Sequence, residues 1–252
     1  GILAIGSGLS LGREGPSIQI GAVVGKGYCS IFKRIKLEEK FLITSGASAG
    51  LAAAFNAPLA GVIFSLEEIH KNFSPVVLTS ALTASITADF ISKYFFGLKP
   101  VFDIQNISPL PLSHYHYIIL LGIILGVFGT IFNKSLLKTQ DLYSMMKWLP
   151  SQMKPVLPFI TAGILGFVLP QVLGGGHELI DSMIHENLSL KLLLLILLVK
   201  FLFTMLSYGS GAPGGIFLPL LVLGALAGSI YGNALVNMFS LNPDYVKNLI
   251  IL

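Results

Sequence analysis

The chain has 252 residues, of which 54% are hydrophobic and only 11% are charged, against about 25% charged residues in a typical soluble domain. Its mean hydropathy of +0.81 excludes an ordinary soluble globular domain and predicts a polytopic membrane protein. The formal net charge of +4 needs no nucleic-acid partner to explain it, because Lys and Arg gather in the cytoplasmic loops of membrane proteins.

The first part of the chain predicts broken helices. Its apolar runs read, in order, as a helix end, a long helix, two short helices and a full span, at residues 1–11, 15–32, 41–54, 58–69 and 75–96. The first run enters a break at Gly12, and Pro16 opens the long helix near its first turn, where proline is tolerated. The two short helices, hinged at Asn56-Ala57-Pro58, are each too short to cross a membrane alone.

The second part predicts longer spans. A proline-containing loop at 97–113 precedes full spans at 115–133, 156–173 and 190–208, and a basic loop at 134–154 separates the first two. Gly174-Gly175-Gly176 opens a short, more polar helix that ends near residue 186. The last run, 215–236, repeats the first long helix.

The basic segments predict which loops face the cytoplasm. Positive residues concentrate at 33–40, 70–71 and 134–154. A pair of short helices separates the first two segments, and a pair of full spans separates the last two. Both counts are even, so all three segments are expected on the cytoplasmic side.

A glycine framework occurs twice in the chain. Residues 6–25 read GSGLSLGREGPSIQIGAVVG and residues 209–228 read GSGAPGGIFLPLLVLGALAG. At an offset of 203 the identical pairs are Gly6/Gly209, Ser7/Ser210, Gly8/Gly211, Gly12/Gly215, Pro16/Pro219, Gly21/Gly224, Ala22/Ala225 and Gly25/Gly228. Paired apolar segments interrupted by Gly and Pro indicate a transporter binding site at an internal repeat.

The repeated breaks predict an anion site. A helix that starts inside the membrane presents backbone N–H groups and the positive end of its dipole, which favour an anion. Two such starts, at Gly12–Pro16 and Gly215–Pro219, could converge on one ion. Ile216 and Phe217 suit a site that uses N–H donors in place of a fixed cation, which gives binding weak enough for release.

Glu14 lies inside the first of these starts. Its carboxylate could occupy the anion site and leave when protonated, so that one group would act as gate and proton acceptor. The alternative is an acid that only complements the helix dipole. An acid within a membrane segment is nevertheless a functional candidate. Arg13 could offset its charge, and a purely structural ion pair is the alternative for that residue.

Glu67 and Glu68 end the apolar run from Ala57 to Leu66. Carboxylates at a helix C-terminus oppose the dipole, so helix propensity does not explain them. One of them could receive protons from the interior while the other faces the interface. In the alternative interpretation, both only mark the membrane boundary.

Several weaker patterns favour structural interpretations. Gly46-Ala47-Ser48-Ala49-Gly50 matches a nucleophile elbow, but that motif needs a preceding strand, and small residues also let membrane helices pack closely. His114 and His116 lack a further ligand cluster for a metal, and His177-Glu178 lacks the second histidine of a zincin motif. Lys200 lies deep in a predicted span and needs a partner that the sequence does not identify.

Three motifs in order resemble the CLC family of chloride channels and chloride/proton antiporters. They are Gly12-Arg13-Glu14-Gly15-Pro16, the run from Leu51 to Glu68, and GSGAPGGIFLP from Gly209 to Pro219. The resemblance extends over essentially the whole chain. It implies an all-α polytopic membrane fold with broken, re-entrant and tilted helices in an antiparallel, inverted internal repeat.

The resemblance assigns roles to residues. Glu14 matches the gating and external proton glutamate, Glu68 the internal proton-transfer glutamate, and Glu67 could support it. The anion-binding segments would comprise Gly12, Arg13, Gly15, Pro16, Gly215, Ile216, Phe217, Leu218 and Pro219. Residues 1–96 would end the first repeat half and 97–252 form most of the second, within a single integrated membrane domain.

The implied function is a proton-coupled chloride antiporter that exchanges two chlorides for one proton, in the inner or plasma membrane. The implied protein is a homodimer in the lipid bilayer, with chloride as substrate and with no cofactor, metal or nucleic acid. Two alternatives are a passive, voltage- or pH-gated chloride channel on the same fold and an intramembrane serine hydrolase that uses Ser48. Because the family's first filter motif and chloride-binding tyrosine are not found, the chain is expected to be a fragment lacking N- and C-terminal parts.

Overall fold

The computed structural model describes residues 1–97, 110–186, 188–239, 241–242 and 245–252. Within these ranges the chain is almost entirely helical, and its only β-type pairing is a single bridge between Gly12 and Gly215. The helices are α1 (Ile2–Gly6), α2 (Glu14–Ile31), α3 (Lys36–Phe55), α4 (Pro58–Phe64), α5 (Pro75–Phe96), α6 (Tyr115–Met145), α7 (Val156–Val168), α8 (His177–His185), α9 (Leu190–Gly209), α10 (Phe217–Phe239) and α11 (Tyr245–Ile251). The predicted all-α fold is confirmed.

Four helices in the described part are long and apolar enough to cross a membrane: α5, α6, α9 and α10. Each coincides with a predicted span or with the second copy of the repeated long helix. Many large apolar side chains on these helices are exposed, including Phe90 on α5 and Leu198 on α9. Such a surface fits a lipid environment, and the chain is a multi-pass membrane protein.

Four predicted boundaries are wrong. Helix α1 ends at Gly6 and not at 11, because Gly8 adopts the left-handed conformation with φ of 85°. Helix α3 begins at Lys36, five residues before the predicted start at 41, because its first-turn acids, Glu38 and Glu39, complement the helix dipole. Helix α6 continues to Met145, where a basic loop was expected from 134, since a charged helix persists once it leaves the apolar region. Helix α7 ends at Val168 and not at 173, because Pro170 disfavours helical backbone at Leu169.

Of the remaining helix predictions, some agree with the structure and one helix was missed. The hinge at Asn56 is confirmed, since this residue ends α3 in the left-handed conformation with φ of 53°. The run 58–69 is helical, but from Ser65 to His70 it is a π-helix. Helix α11 was not predicted. Pro100 and Pro109 of the predicted loop lie outside the described residues.

The structure divides the chain into two compact units. One contains Gly1–Gly12 and Ile104–Leu252, and the other contains Arg13–Asp103. We refer to them as the large unit and the small unit. The assignment of residues 1–96 and 97–252 to two repeat halves stays a prediction.

In the small unit, α2 and α3 pack backbone to backbone. A Cβ added at Gly21 would overlap the backbone of Gly46, and one at Gly46 would overlap that of Gly21. Helix α3 is joined to α5 by hydroxyl pairs, Ser45–Ser80 at 2.8 Å and Ser48–Ser85 at 2.6 Å between their Oγ atoms. Small residues thus allow the close approach, and paired hydroxyls satisfy polar groups in an apolar surrounding.

In the large unit, one cluster of buried side chains joins the N-terminal segment to α7 and α9. It contains Ala4, Leu9, Leu11, Ala162, Phe203 and Ala212. A second cluster, of Leu121, Leu235 and Leu249, packs α6, α10 and α11 together. The first cluster buries the chain just before each predicted break, so both approaches to the breaks pack against helices.

Candidate functional site

The segment that leads to the first predicted break is buried in the large unit. Leu9, Ser10 and Leu11 are each 0% exposed, although they lie between helices and not within one. Non-helical backbone at membrane depth is tolerated only where protein or a water-filled cavity satisfies its polar groups. The partners of this segment therefore determine whether the break is a built feature.

Gly12 and Gly215 pair directly with each other. The N–H of Gly12 donates to the carbonyl of Gly215 at 2.7 Å, and the N–H of Gly215 donates to the carbonyl of Gly12 at 2.8 Å. The bridge is antiparallel, and the two residues are equivalent positions of the repeat. A reciprocal antiparallel pair of equivalent residues is the arrangement that a local two-fold axis between the segments would give.

The backbone around the bridge follows the repeat residue by residue. Helix α1 ends at Gly6 and α9 ends at Gly209. Two residues later, Gly8 and Gly211 both adopt the left-handed conformation, with φ of 85° and 78°. A new helix begins at Glu14 in one copy and at Phe217 in the other. Each event is separated from its counterpart by the predicted offset of 203 residues, so the glycine framework encodes a repeated helix–break–helix path.

Side chains of α9 hold the first copy of this path. Ser10 donates its N–H to Ser207 Oγ at 3.2 Å, and its own Oγ lies 2.8 Å from Thr204 Oγ1. All three residues are buried. These bonds replace part of the helical pairing that Ser10 lacks.

Lys200, the predicted deep lysine, finds its partners in backbone carbonyls. Its Nζ donates to the carbonyl of Gly174 at 2.6 Å and to that of Val172 at 2.9 Å. The N–H of Gly174 in turn donates to the carbonyl of Gly8 at 2.7 Å. The buried ammonium therefore fixes the loop that pairs with the start of the first break.

Lys200, Thr204 and Ser207 form one polar face of α9, of which the sequence predicted only the deep position of Lys200. Their spacing of four and three residues places them in a row along the helix. Polar residues recurring at this spacing in an otherwise apolar span were the available signal. The partners of the row, in residues 8–12 and 172–174, could not be identified from spacing alone.

The predicted residues of the first break lie at the beginning of α2 in the small unit. Arg13 is the N-cap residue and is exposed, whereas Glu14 is the first helical residue and only 6% exposed. Gly15 and Pro16 complete the first turn, and the N–H of Ser17 makes the first helical bond, to the carbonyl of Arg13 at 3.1 Å. A buried carboxylate thus lies at a helix N-terminus, where the dipole favours negative charge.

The predicted residues of the second break lie at the beginning of α10 in the large unit. Ile216 is half-buried and connects the bridge at Gly215 to the first helical residue, Phe217, whose side chain is 52% exposed. Leu218 and Pro219 are buried in the first turn. This helix start carries no ionisable side chain, so only its backbone can attract an anion.

Glu67 and Glu68 lie together in the π-helical turn from Ser65 to His70. Both side chains are exposed. They belong to the small unit, in the same unit as Glu14. π-helical turns are rare and occur frequently at functional sites.

The alternative sites lack the surroundings that their chemistry needs. Ser48 lies in the middle of α3, is 0% exposed and is bonded to Ser85, so the strand–turn–helix context of a nucleophile elbow is not present at that residue. His114 contacts the rings of Tyr117 and Tyr245, as expected of an interfacial residue. No group of three or more His, Cys, Asp or Glu side chains suited to a metal occurs in the part of the chain that the structure describes.

The sequence matches a known protein family over its full length. A family model described as voltage gated chloride channel matches residues 1–252. Two curated relatives are H(+)/Cl(-) exchange transporters ClcA, from Salmonella paratyphi B (strain ATCC BAA-1250 / SPB7) and Salmonella newport (strain SL254). Each is 37% identical over 97% of this chain, and the match covers 52% of each relative. The chain therefore spans about half the length of the curated relatives it matches.

Two solved structures resemble the present one. A slow cyanobacterial Cl-/H+ antiporter superimposes with a TM-score of 0.85 at 31% identity, covering 96% of this chain and 58% of that protein. A CLC-type fluoride/proton antiporter gives a TM-score of 0.74 at 26% identity, covering 97% of this chain and 60% of that protein.

Proposed function

Because this chain belongs to the voltage-gated chloride channel family, we propose that it forms most of the ion pathway of a proton-coupled chloride exchanger. The observation that carries the proposal is the reciprocal pairing of Gly12 with Gly215, with a helix beginning two residues after each. Relatives named as H(+)/Cl(-) exchange transporters support exchange over passive conduction. The exchanger belongs to the class that moves two chlorides against one proton.

Each of the two helix starts offers backbone N–H groups to an anion. The segments Gly12–Pro16 and Gly215–Pro219 provide these groups, and the amides of Ile216 and Phe217 are the principal donors. Glycine at the bridge lets an ion approach the backbone closely. Support comes from the second start, which carries no ionisable side chain, so that an anion there is held by N–H donors alone and can be released rapidly.

Glu14 is the gate of this pathway and its external proton acceptor. Its carboxylate competes with chloride for the positive end of α2, and protonation removes that competition. Its burial at the first helical position supports this role, since a solvated carboxylate would have little reason to enter an anion site. Arg13, exposed beside it, raises the local positive potential that both anions experience.

Glu68 is the internal proton-transfer residue, and Glu67 supports it by adding negative charge nearby. Exposure of both carboxylates supports proton uptake from an aqueous side. Both residues lie in a π-helical turn and not at a regular helix end. This location disfavours the interpretation that they only mark a membrane boundary. The protein works as a homodimer in the lipid bilayer and uses chloride as a substrate, without a cofactor.

The test is proton movement driven by a chloride gradient. The full-length protein that contains this chain is reconstituted in liposomes, and the membrane potential is set so that a proton leak would run in the opposite direction. We expect uphill proton uptake coupled to chloride release. Chloride flux without uphill proton movement would identify a passive channel and overturn the exchanger.

A further inference from the structure

The turn that carries Glu67 and Glu68 is held at both ends by buried side chains. The π-helix runs from Ser65 to His70 and ends where Lys71 adopts the left-handed conformation, with φ of 56°. Leu66, on one side of the two exposed acids, is 0% exposed, and His70, on the other side, is 7% exposed. The acids therefore protrude from a short turn whose flanking residues are fixed in the small unit.

The two anchors differ in chemistry. Leu66 packs in an apolar cluster with Val62, Val77 and Ala81, which holds the start of the turn to α5 without directional bonds. His70 makes a directional contact, with its Nδ1 3.3 Å from Thr44 Oγ1 of α3. Its ring also lies beside that of Phe41, with 5.6 Å between centroids.

The second partner of the Thr44 hydroxyl favours one tautomer of His70. The hydroxyl has a single hydrogen, and it donates that hydrogen to the carbonyl of Lys40 at 2.9 Å. With its hydrogen so placed, Thr44 Oγ1 accepts from His70 when Nδ1 carries the proton. Burial, and after it the positive charge of Lys40, lower the pKa of His70. Protonation at Nε2 would leave the Nδ1–H donor in place, so the contact is available in either charge state.

We propose that His70 is a positioning residue for Glu68, holding the end of the π-helical turn to α3 through its Nδ1–H bond to Thr44. This inference rests on the proposed role of Glu68 in proton transfer. A π-turn lacks the tight i→i+4 pairing of an α-helix, so a side-chain anchor two residues from Glu68 restrains its direction. Without the anchor the turn relaxes toward α-helical pairing, which rotates Glu68 about the helix axis.

Amide side chains separate this role from simple burial of a ring. Asn places its N–H₂ group near the position of Nδ1, Gln places it near Nε2, and Phe keeps the ring without either nitrogen. We expect His70→Asn to keep the proton-to-chloride ratio of the reconstituted full-length protein. His70→Phe, His70→Gln and Thr44→Val should lower that ratio about fivefold, the factor that corresponds to one neutral hydrogen bond, while chloride flux persists.

Three further variants make the assignment specific. Thr44→Ser keeps the hydroxyl and should keep the ratio. The double variant Thr44→Val/His70→Phe should lose no more coupling than either single one, because both changes remove the same bond. Ser45→Ala is the matched control, since Ser45 neighbours Thr44 on α3 but bonds to Ser80 of α5, and it should leave coupling unchanged.

Amide hydrogen exchange over residues 65–71 gives a readout that is independent of transport. We expect faster exchange there in His70→Phe and unchanged exchange in His70→Asn. Wild-type coupling in His70→Phe, equal loss in His70→Asn and His70→Phe, or unchanged exchange in His70→Phe would each overturn the inference while the exchanger stands. Absence of uphill proton movement in the wild-type protein would instead overturn the proposed function, and with it the role of His70.

Discussion

The two breaks around Gly12 and Gly215 share a backbone path but differ in their ionisable side chains. Where the first copy has Arg13 and Glu14, the second has Ile216 and Phe217. The helices nevertheless end and begin at equivalent positions. The repeat thus preserves the path of the chain, whereas ionisable side chains occur at these positions in one copy only.

The supporting residues differ in the same way. Ser10 is buried and bonded to α9, whereas its counterpart Pro213 is exposed. Leu11 is 0% exposed, and the glycine at its counterpart, Gly214, leaves the space that Leu11 fills, since a Cβ there would lie 2.7 Å from Leu11 Cβ. The two copies therefore share a symmetric backbone path, but different side chains pack against it. Four substitutions can test how far this difference in packing extends.

The largest effect is expected from Glu14→Gln. The amide mimics the protonated carboxyl, so chloride flux should persist and become insensitive to pH. Proton transport should fall about 100-fold or more, as for loss of a proton-transferring side chain. The matched change in the other copy, Phe217→Leu, should keep coupling because the proposed donors at that helix start are backbone N–H groups. The measurement is chloride and proton flux from liposomes. Retained coupling in Glu14→Gln would mean that Glu14 does not transfer protons and that this side chain does not distinguish the two copies.

Gly214→Ala should destabilise the packing between residue 214 and Leu11. The added Cβ overlaps Leu11, and overpacking of this kind costs about 1–3 kcal/mol. Thermal unfolding in detergent measures the loss, with Gly224→Ala as control because no part of the described chain outside its own helix backbone lies within 4 Å of a Cβ at that position. Equal melting temperatures for Gly214→Ala and the control would exclude complementary packing.

Lys200→Met should destabilise the loop that pairs with the first break and leave the second break unaffected. It leaves the carbonyls of Val172 and Gly174 without their buried donor, a loss of about 1–3 kcal/mol in the free energy of unfolding. Lys191→Met, an exposed change in the first turn of the same helix, is the control and should be close to neutral. The free energies of unfolding of the two variants are compared by titration with a denaturing detergent. Equal stability of both variants would mean that the ammonium does not hold the loop.

The smallest effect is expected at the equivalent positions Ser10 and Pro213. Ser10→Ala removes one buried hydroxyl pair and should cost about 1 kcal/mol. Pro213→Ala, at an exposed position, should stay within about 0.5 kcal/mol. Both are read as shifts in melting temperature. If the two substitutions lower the melting temperature equally, the hydrogen bonds from α9 to Ser10 do not stabilise the first copy more than the second.

The sequence predicts the backbone of the site better than its side-chain support. Gly and Pro act locally, so their recurrence at one offset was enough to place both breaks and the helices that follow them. Ser10, Thr204 and Ser207 act across the fold, and nothing in local spacing pairs residues about 200 positions apart. For the same reason Lys200 was recognised as needing a partner, while its partner carbonyls were not found.

Helix boundaries failed where hydropathy and helical propensity diverge. The expected loop at 134–154 was defined by its charge, yet α6 continues through Lys134 and Lys138 to Met145, since Lys is a good helix former. The apolar run at 156–173 was read as one span, but Pro170 interrupts it. Composition thus predicts which segments are apolar, whereas single prolines and caps determine where helices end.

The bridge between Gly12 and Gly215 also orders events during biosynthesis. Its two residues are 203 positions apart, so Gly12 emerges long before its partner exists. At about 5–20 residues per second, the first break waits roughly 10–40 s for its hydrogen bonds. During that interval its backbone polar groups must be satisfied by water, by the insertion machinery or by lipid head groups. Chaperoning of nascent membrane segments should therefore matter more for the first break than for the second, which meets its partner as soon as it is made.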